Sequence, residues 1–273
     1  MSSLPRFPSG RAHRFAAAFT LVELLTVVAI IGILAGLGFG AVSGTVRRAK
    51  DARCQNNLKQ LSTALISYVG SHGQYPQRLN PEVVDGTTNV WLWCHVLERE
   101  MTSDDRWPPP RFLNALKQSV WECPSMRNSH PMGDIGYGYN TWGLYSHLSQ
   151  EPLGLAGKVR GLNVHGLPEP PRIPVKDGEV SNPSRMLALG DGVLGWGDSY
   201  WTSTFFVREK TFWRPQDNQV PFDVARHRRR VHAAFADGHV ETIPLQTLFS
   251  ATTDEVLSLW NRDHQPHRDR LGE

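Results

Sequence analysis

The chain has 273 residues, with 29 Lys and Arg against 26 Asp and Glu, a formal charge of +3. The excess is local: residues 1–18 hold Arg6, Arg11 and Arg14 and no acid, so from Phe19 onward 26 basic residues (29 − 3) face 26 acidic ones. Composition therefore does not support a general nucleic-acid-binding surface, and the roughly 200 residues after position 70 amount to one domain.

From Phe19 to Val42, 24 residues carry Glu23 as their only charge. A helix of that length reaches ~36 Å, enough to cross a hydrocarbon core of ~30 Å. The arginines before it orient such a span with residues 1–18 in the cytoplasm. A secretory signal peptide has an apolar core of about 7–15 residues with small residues after it. Here the run is longer, and Ala16, Ala17 and Ala18 precede it. An ordinary signal anchor fits the length but leaves Glu23 unexplained, because a carboxylate there costs roughly 2.5–3.5 kcal/mol at mid-membrane and less near an end. Gly32, Gly36, Gly40 and Gly44 recur every fourth residue, a stripe that permits close helix–helix packing in lipid.

The helix is expected to continue over 44–76. Cys54, Leu58, Leu61, Leu65 and Tyr68 follow the +4, +3 spacing of one apolar face, and Gly70, Gly73 and Pro76 end it. Arg47, Arg48, Lys50 and Arg53 stand just past the apolar run and read as solvent or headgroup contacts.

Beyond residue 76, short apolar runs alternate with turn signals, Asp85-Gly86 and Asp237-Gly238 among them, which predicts β-structure. Residues 150–184 are rich in Gly and Pro without periodicity, a long loop or inserted lobe, and 261–273 read as a frayed polar tail. In "VHAAFADGHVETI", 231–243, Asp237-Gly238 is expected as a two-residue hairpin turn. That register pairs Phe235 with Val240 and Ala233 with Thr242, and turns Phe235 and Val240 towards the helix.

Several residue types invite chemistry. His227, His232, Asp237 and His239 are metal-ligand types within 13 residues, but no HExxH helix or Cys pair accompanies them and Asp237 already has a turn role, so no catalytic site is assigned. Asp191, Asp198 and Asp237 are weak calcium candidates without EF-hand spacing. Nine Trp are expected mainly in the core. The run Arg226–Arg230 is the densest basic patch, read as a solvated strand entry.

The stretch "FTLVELLTVVAIIGILA", 19–35, resembles the N-terminus of type IV prepilins and type II secretion pseudopilins. Further stretches are similar to a bacterial branch of that family: "ARCQNNLKQLSTAL" (52–65), "CPS" (123–125), "GYGYN" (136–140), "PSRMLALGD" (183–191) and the His227-x9-Asp237-Gly238 signature. The resemblance implies cleavage by a prepilin peptidase between Ala18 and Phe19, with methylation of the new amine. The family usually has Gly where this chain has Ala18. It also implies that Glu23, fifth in the mature chain, pairs with the N-terminal ammonium of a neighbouring subunit, which offsets the cost of its burial. Cys54 and Cys123 both lie in stretches that match the family, and the resemblance favours their disulfide; Cys94–Cys123 is the other pairing considered, and Cys54 as a packed free thiol the third reading. Pseudopilins sometimes hold calcium in a C-terminal loop.

The expected fold class is α+β and pilin-like: a long N-terminal helix, half membrane span (19–43) and half amphipathic spine (44–76), packed on an antiparallel sheet domain (77–260). The expected function is a non-enzymatic filament subunit of a type IV pilus or type II secretion-type filament in the bacterial inner membrane. Its partners would be the peptidase, other pilin-like subunits and lipids. The alternative is a membrane-anchored surface protein that binds polysaccharide or DNA.

Overall fold

The computed structural model describes residues 20–84, 86–103, 120–125, 136–144, 151–157, 173–191, 226–250 and 252–271. It divides into two compact units, Met1–Val46 and Arg47–Glu273. Helix α1 runs Leu21–His72.

In the first unit α1 exposes what a packed helix would bury. Ten large apolar side chains between Leu21 and Leu34 are 47–78% exposed.

In the second unit the spacing of the spine residues is borne out. Cys54, Leu58, Leu61, Leu65 and Tyr68 are all buried. The helix closes where the glycines indicate: Gly73 adopts φ +66 and its amide donates to the Val69 carbonyl at 2.7 Å, a left-handed C-terminal cap. Strands β1 (Leu79–Val84) and β2 (Thr87–Leu92) pair antiparallel, and α2 follows over Trp93–Thr102.

The main sheet is antiparallel, in the order β3 (Tyr137–Tyr139), β4 (Leu187–Asp191), β5 (Arg230–Phe235), β6 (Val240–Pro244). It is covered on both faces. Ala188, Leu189, Ala234 and Ala236 pack with the α1 stripe, whereas Leu187, Val231, Ala233 and Phe235 pack with Leu245, Leu248, Leu257 and Trp260. These last belong to α3 (Leu245–Ser250), α4 (Asp254–Ser258) and the turn after α4. Leu187 and Leu189 reach opposite faces because a register shift lies between them.

The 231–243 hairpin exists, but its register is one residue from the expected one. His232 pairs with Thr242 and Ala234 with Val240. Gly238 alone of the turn pair has positive φ (+90); its amide donates to Phe235 O and the Phe235 amide to His239 O. The turn is thus a three-residue loop whose third residue is left-handed. A slip of one residue exchanges the faces, so Ala234, Ala236 and Val240 meet α1 while Phe235 faces α3 and α4.

The C-terminal stretch is folded rather than frayed. Asn261 is fully buried and Arg262 nearly so. Asn261 Oδ1 accepts from the Leu144 amide and its Nδ2 donates to Gln265 O at 2.7 Å. Of the 150–184 excursion, 150 and 158–172 lie outside the described residues, while Leu153, Leu155, Val175 and Val180 are buried. Trp93, Trp121, Trp142 and Trp260 are core residues.

Candidate functional site

The first candidate is the start of α1. Ala18 and Phe19 lie outside the described residues. Glu23 is exposed in the first turn, and its carboxylate has a local role that the sequence reading missed. Its Oε2 accepts from the Thr20 amide at 2.9 Å and the Thr20 hydroxyl at 2.8 Å, while the Glu23 amide donates to Thr20 Oγ1 at 3.2 Å. This is a capping box, and Thr-x-x-Glu before an apolar run is its sequence signal. A Cβ on Gly32, Gly36 or Gly44 would meet nothing within 4 Å; Gly40 lies outside the residues whose side chains are described. Among the described residues no helix is long and apolar enough to cross a membrane, and the side chains of 37–43 are outside that set.

The second candidate joins the spine to the sheet. Cys54 on α1 and Cys123 form a disulfide with Cα atoms 5.2 Å apart, and Cys94 is a buried free thiol. His227 sits against this bond. Its Nε2 is 3.3 Å from Cys123 Sγ and 3.6 Å from Asp191 Oδ1, and its Nδ1 is 2.7 Å from Asp51 Oδ1. Burial disfavours the charged ring, but the Asp191 and Asp51 carboxylates more than offset it, so His227 titrates above its ordinary value. Beside it, with ring centroids 4.1 Å apart, His232 is pushed below its ordinary value by burial. Its Nδ1 meets Thr242 Oγ1 at 2.8 Å and its amide donates to Asp191 Oδ2 at 2.8 Å.

Asp51, His227 and His232 each bring one ligand-type atom to within 4.8 Å of the others, a donor set that suits a borderline divalent ion. Cys54, Cys123 and His227 do the same, but disulfide sulfurs are not thiolate ligands or nucleophiles. Cys123, His227 and Asp51 therefore line up without an attacking atom. Of the calcium candidates, Asp191 and Asp237 make separate contacts. The Asp191 carboxylate accepts from His232, whereas the Asp237 amide donates to Pro183 O beyond the other end of β4; Asp198 lies outside the described residues.

The Asp237-Gly238 half of the signature is a docking tip. The Gly238 carbonyl accepts from Lys59 Nζ and Ser62 Oγ, both at 2.9 Å. Asp237 Oδ1 accepts from the His239 amide at 3.1 Å and meets its ring Nδ1 at 2.6 Å. His227 and Gly238 thus secure β5 to α1 near its two ends. Asp51 was not legible as the partner of His227, since the two are 176 residues apart. Asn140 was also missed: fully buried, it donates to Leu187 O and Trp260 O and accepts from the Gly143 amide.

Among the described residues these features are contacts that join helix to sheet, and the similarity found among known proteins is to a type IV pilin. Over 62 residues the chain is 40% identical to the type IV major pilin protein PilA of Myxococcus xanthus (strain DK1622), a stretch that makes up 23% of this chain and 28% of that protein. The match thus spans under a third of the relative's length. No family model matches the sequence, and no solved structure matches it.

Proposed function

We propose that the chain is a pilin-like structural subunit of a type IV pilus or type II secretion-type filament, inserted in the bacterial inner membrane through 19–43 and assembled through that helix. The observation that carries this reading is the 40% identity over 62 residues to a type IV major pilin. The exposed apolar side chains between Leu21 and Leu34 support it, because a surface of that extent calls for lipid or neighbouring helices. Under this reading a prepilin peptidase cuts between Ala18 and Phe19 and the new amine is methylated. Glu23 then receives the ammonium of an adjacent subunit. A carboxylate offers about four acceptor sites, so the capping bonds to Thr20 and the charge pair are compatible. The reading requires no cofactor and no catalytic residue.

Co-expression with a prepilin peptidase tests it. Intact mass should give a mature chain that begins at Phe19 with a methylated amine. Cleavage after a later residue such as Gly40 would overturn the reading and restore an ordinary signal peptide.

A further inference from the structure

The Asp51–His227 contact brings two basic runs to one end of the second unit. Arg47, Arg48, Lys50 and Arg53 surround Asp51 on α1, and Arg228, Arg229 and Arg230 follow His227; all seven are exposed. Asp51 is the sole acid within either run, and its carboxylate is turned to His227 at 2.7 Å. Two further contacts at this end fix the strand entry: Arg230 Nη2 donates to Thr242 O, and the Leu245 amide donates to Arg229 O, both at 2.9 Å.

The backbone supplies a separate observation. His227, Arg228 and Arg229 have φ of 51, 59 and 64, three consecutive side-chain-bearing residues in the left-handed region. His227 has buried contacts that hold it there. Arg228 and Arg229 are exposed, so no core packing calls for their side chains, and glycine would adopt the same conformation without the steric cost. Strain of this kind clusters at functional sites.

Position along the chain indicates the use. Arg47 follows Val42 by five residues of one helix, so about 7.5 Å of helical rise separates the first basic residue from the end of the apolar run. We infer that the two runs form a collar that binds anionic phospholipid headgroups in the leaflet where the apolar run emerges. The inference rests on the membrane reading above. Each Lys or Arg near an anionic surface raises partitioning about fivefold. That attraction fades within a Debye length, ~8 Å at physiological salt, so only basic groups close to the point of emergence benefit. A polyanion in solution would meet Arg228 and Arg229 equally well, but it gives no reason for the α1 run to join them beside an apolar segment.

The test uses the full-length chain in nanodiscs of phosphatidylcholine with and without phosphatidylglycerol. Arginines are labelled with phenylglyoxal and mapped by peptide mass, with the half-buried Arg185, paired with Glu255, as the internal control. Labelling of Arg47, Arg48, Arg228 and Arg229 should slow several-fold in the anionic discs and recover at high salt. In the double variant Arg228→Gly/Arg229→Gly the thermal midpoint should hold or rise, because the strain is relieved, while Arg47 and Arg48 label faster in anionic discs than in wild type. Equal labelling in both disc types, in chain that co-elutes with the discs, would overturn the collar and leave the membrane reading intact. Equal protection in phosphatidylcholine discs by inorganic phosphate or duplex DNA would reassign the surface to a soluble anion or a nucleic acid. Failure to incorporate into either disc would remove the membrane reading, and the collar with it.

Discussion

Gly238→Ala is the sharpest perturbation of the joint between the hairpin and α1. Gly238 has φ +90, and a Cβ there would stand 2.2 Å from Ile66 Cδ1. Ile66 is partly exposed, so the tip of its side chain can swing aside and the clash is the smaller cost. The left-handed backbone costs an alanine about 1–2 kcal/mol. If the tip lifts to relieve it, the Gly238 carbonyl leaves Lys59 and Ser62; the buried Ser62 hydroxyl then loses its acceptor, for about another 1 kcal/mol. The expected loss is therefore about 2–3 kcal/mol. Equilibrium unfolding of the full-length chain in non-ionic detergent, followed by the fluorescence of buried Trp93, Trp121 and Trp260, measures it. Ser62→Ala alone should cost about 1 kcal/mol, and the double variant should lose less than the sum, since both act on one contact. A Gly238→Ala loss below about 0.5 kcal/mol, or strict additivity with Ser62→Ala, would refute the docking role.

The remaining perturbations address the network around that joint. His227 titrates above its ordinary value when folded, so its contribution is full below the unfolded pKa of about 6.5 and is lost as pH rises through the folded pKa. Denaturant midpoints of wild type and His227→Gln should therefore converge as pH rises above neutrality, and a gap that widens would contradict the carboxylate pairing. The Cys54–Cys123 bond spans a sequence separation of 69, for which chain entropy gives about 4 kcal/mol; Cys54→Ser/Cys123→Ser should approach that loss, and a change under about 1 kcal/mol would show the bond is dispensable. Burial pushes the Cys94 thiol well up, so a thiol reagent should find no reactive group until the chain unfolds. Asn140→Ala removes three buried hydrogen bonds, an expected cost of about 3 kcal/mol that thermal or denaturant unfolding should register.

Local patterns were legible in the sequence and long-range partners were not. The stripe Cys54, Leu58, Leu61, Leu65, Tyr68 follows from helical period alone, and all five residues are buried. Asp237-Gly238 marked a hairpin, yet the dipeptide does not fix how many residues the loop holds. Only Gly238 takes positive φ, and the one-residue slip moved Phe235 to the opposite core. The polar stretch after residue 260 reads as frayed in the sequence because its partners lie far away: Asn261 binds Leu144 and Arg262 pairs with Glu151 at 2.6 Å. His227 drew notice as a motif residue, but its carboxylates come from α1 and β4, a juxtaposition that only the folded sheet creates. The Thr20–Glu23 box was readable in principle; the hydrophobic run drew the reading towards burial and away from capping.

The proposed assembly of subunits through Glu23 is tested most directly by separating charge from cap. Glu23→Gln keeps an acceptor for the Thr20 amide and removes the charge, whereas Glu23→Ala removes both. Cells that express wild type or either variant are fractionated into membrane-resident and sheared-filament pools. Both variants should reach the membrane, and both should be depleted from filaments. Filament entry by Glu23→Gln at the wild-type level would contradict it, since the carboxylate would then be a helix cap and not an assembly contact.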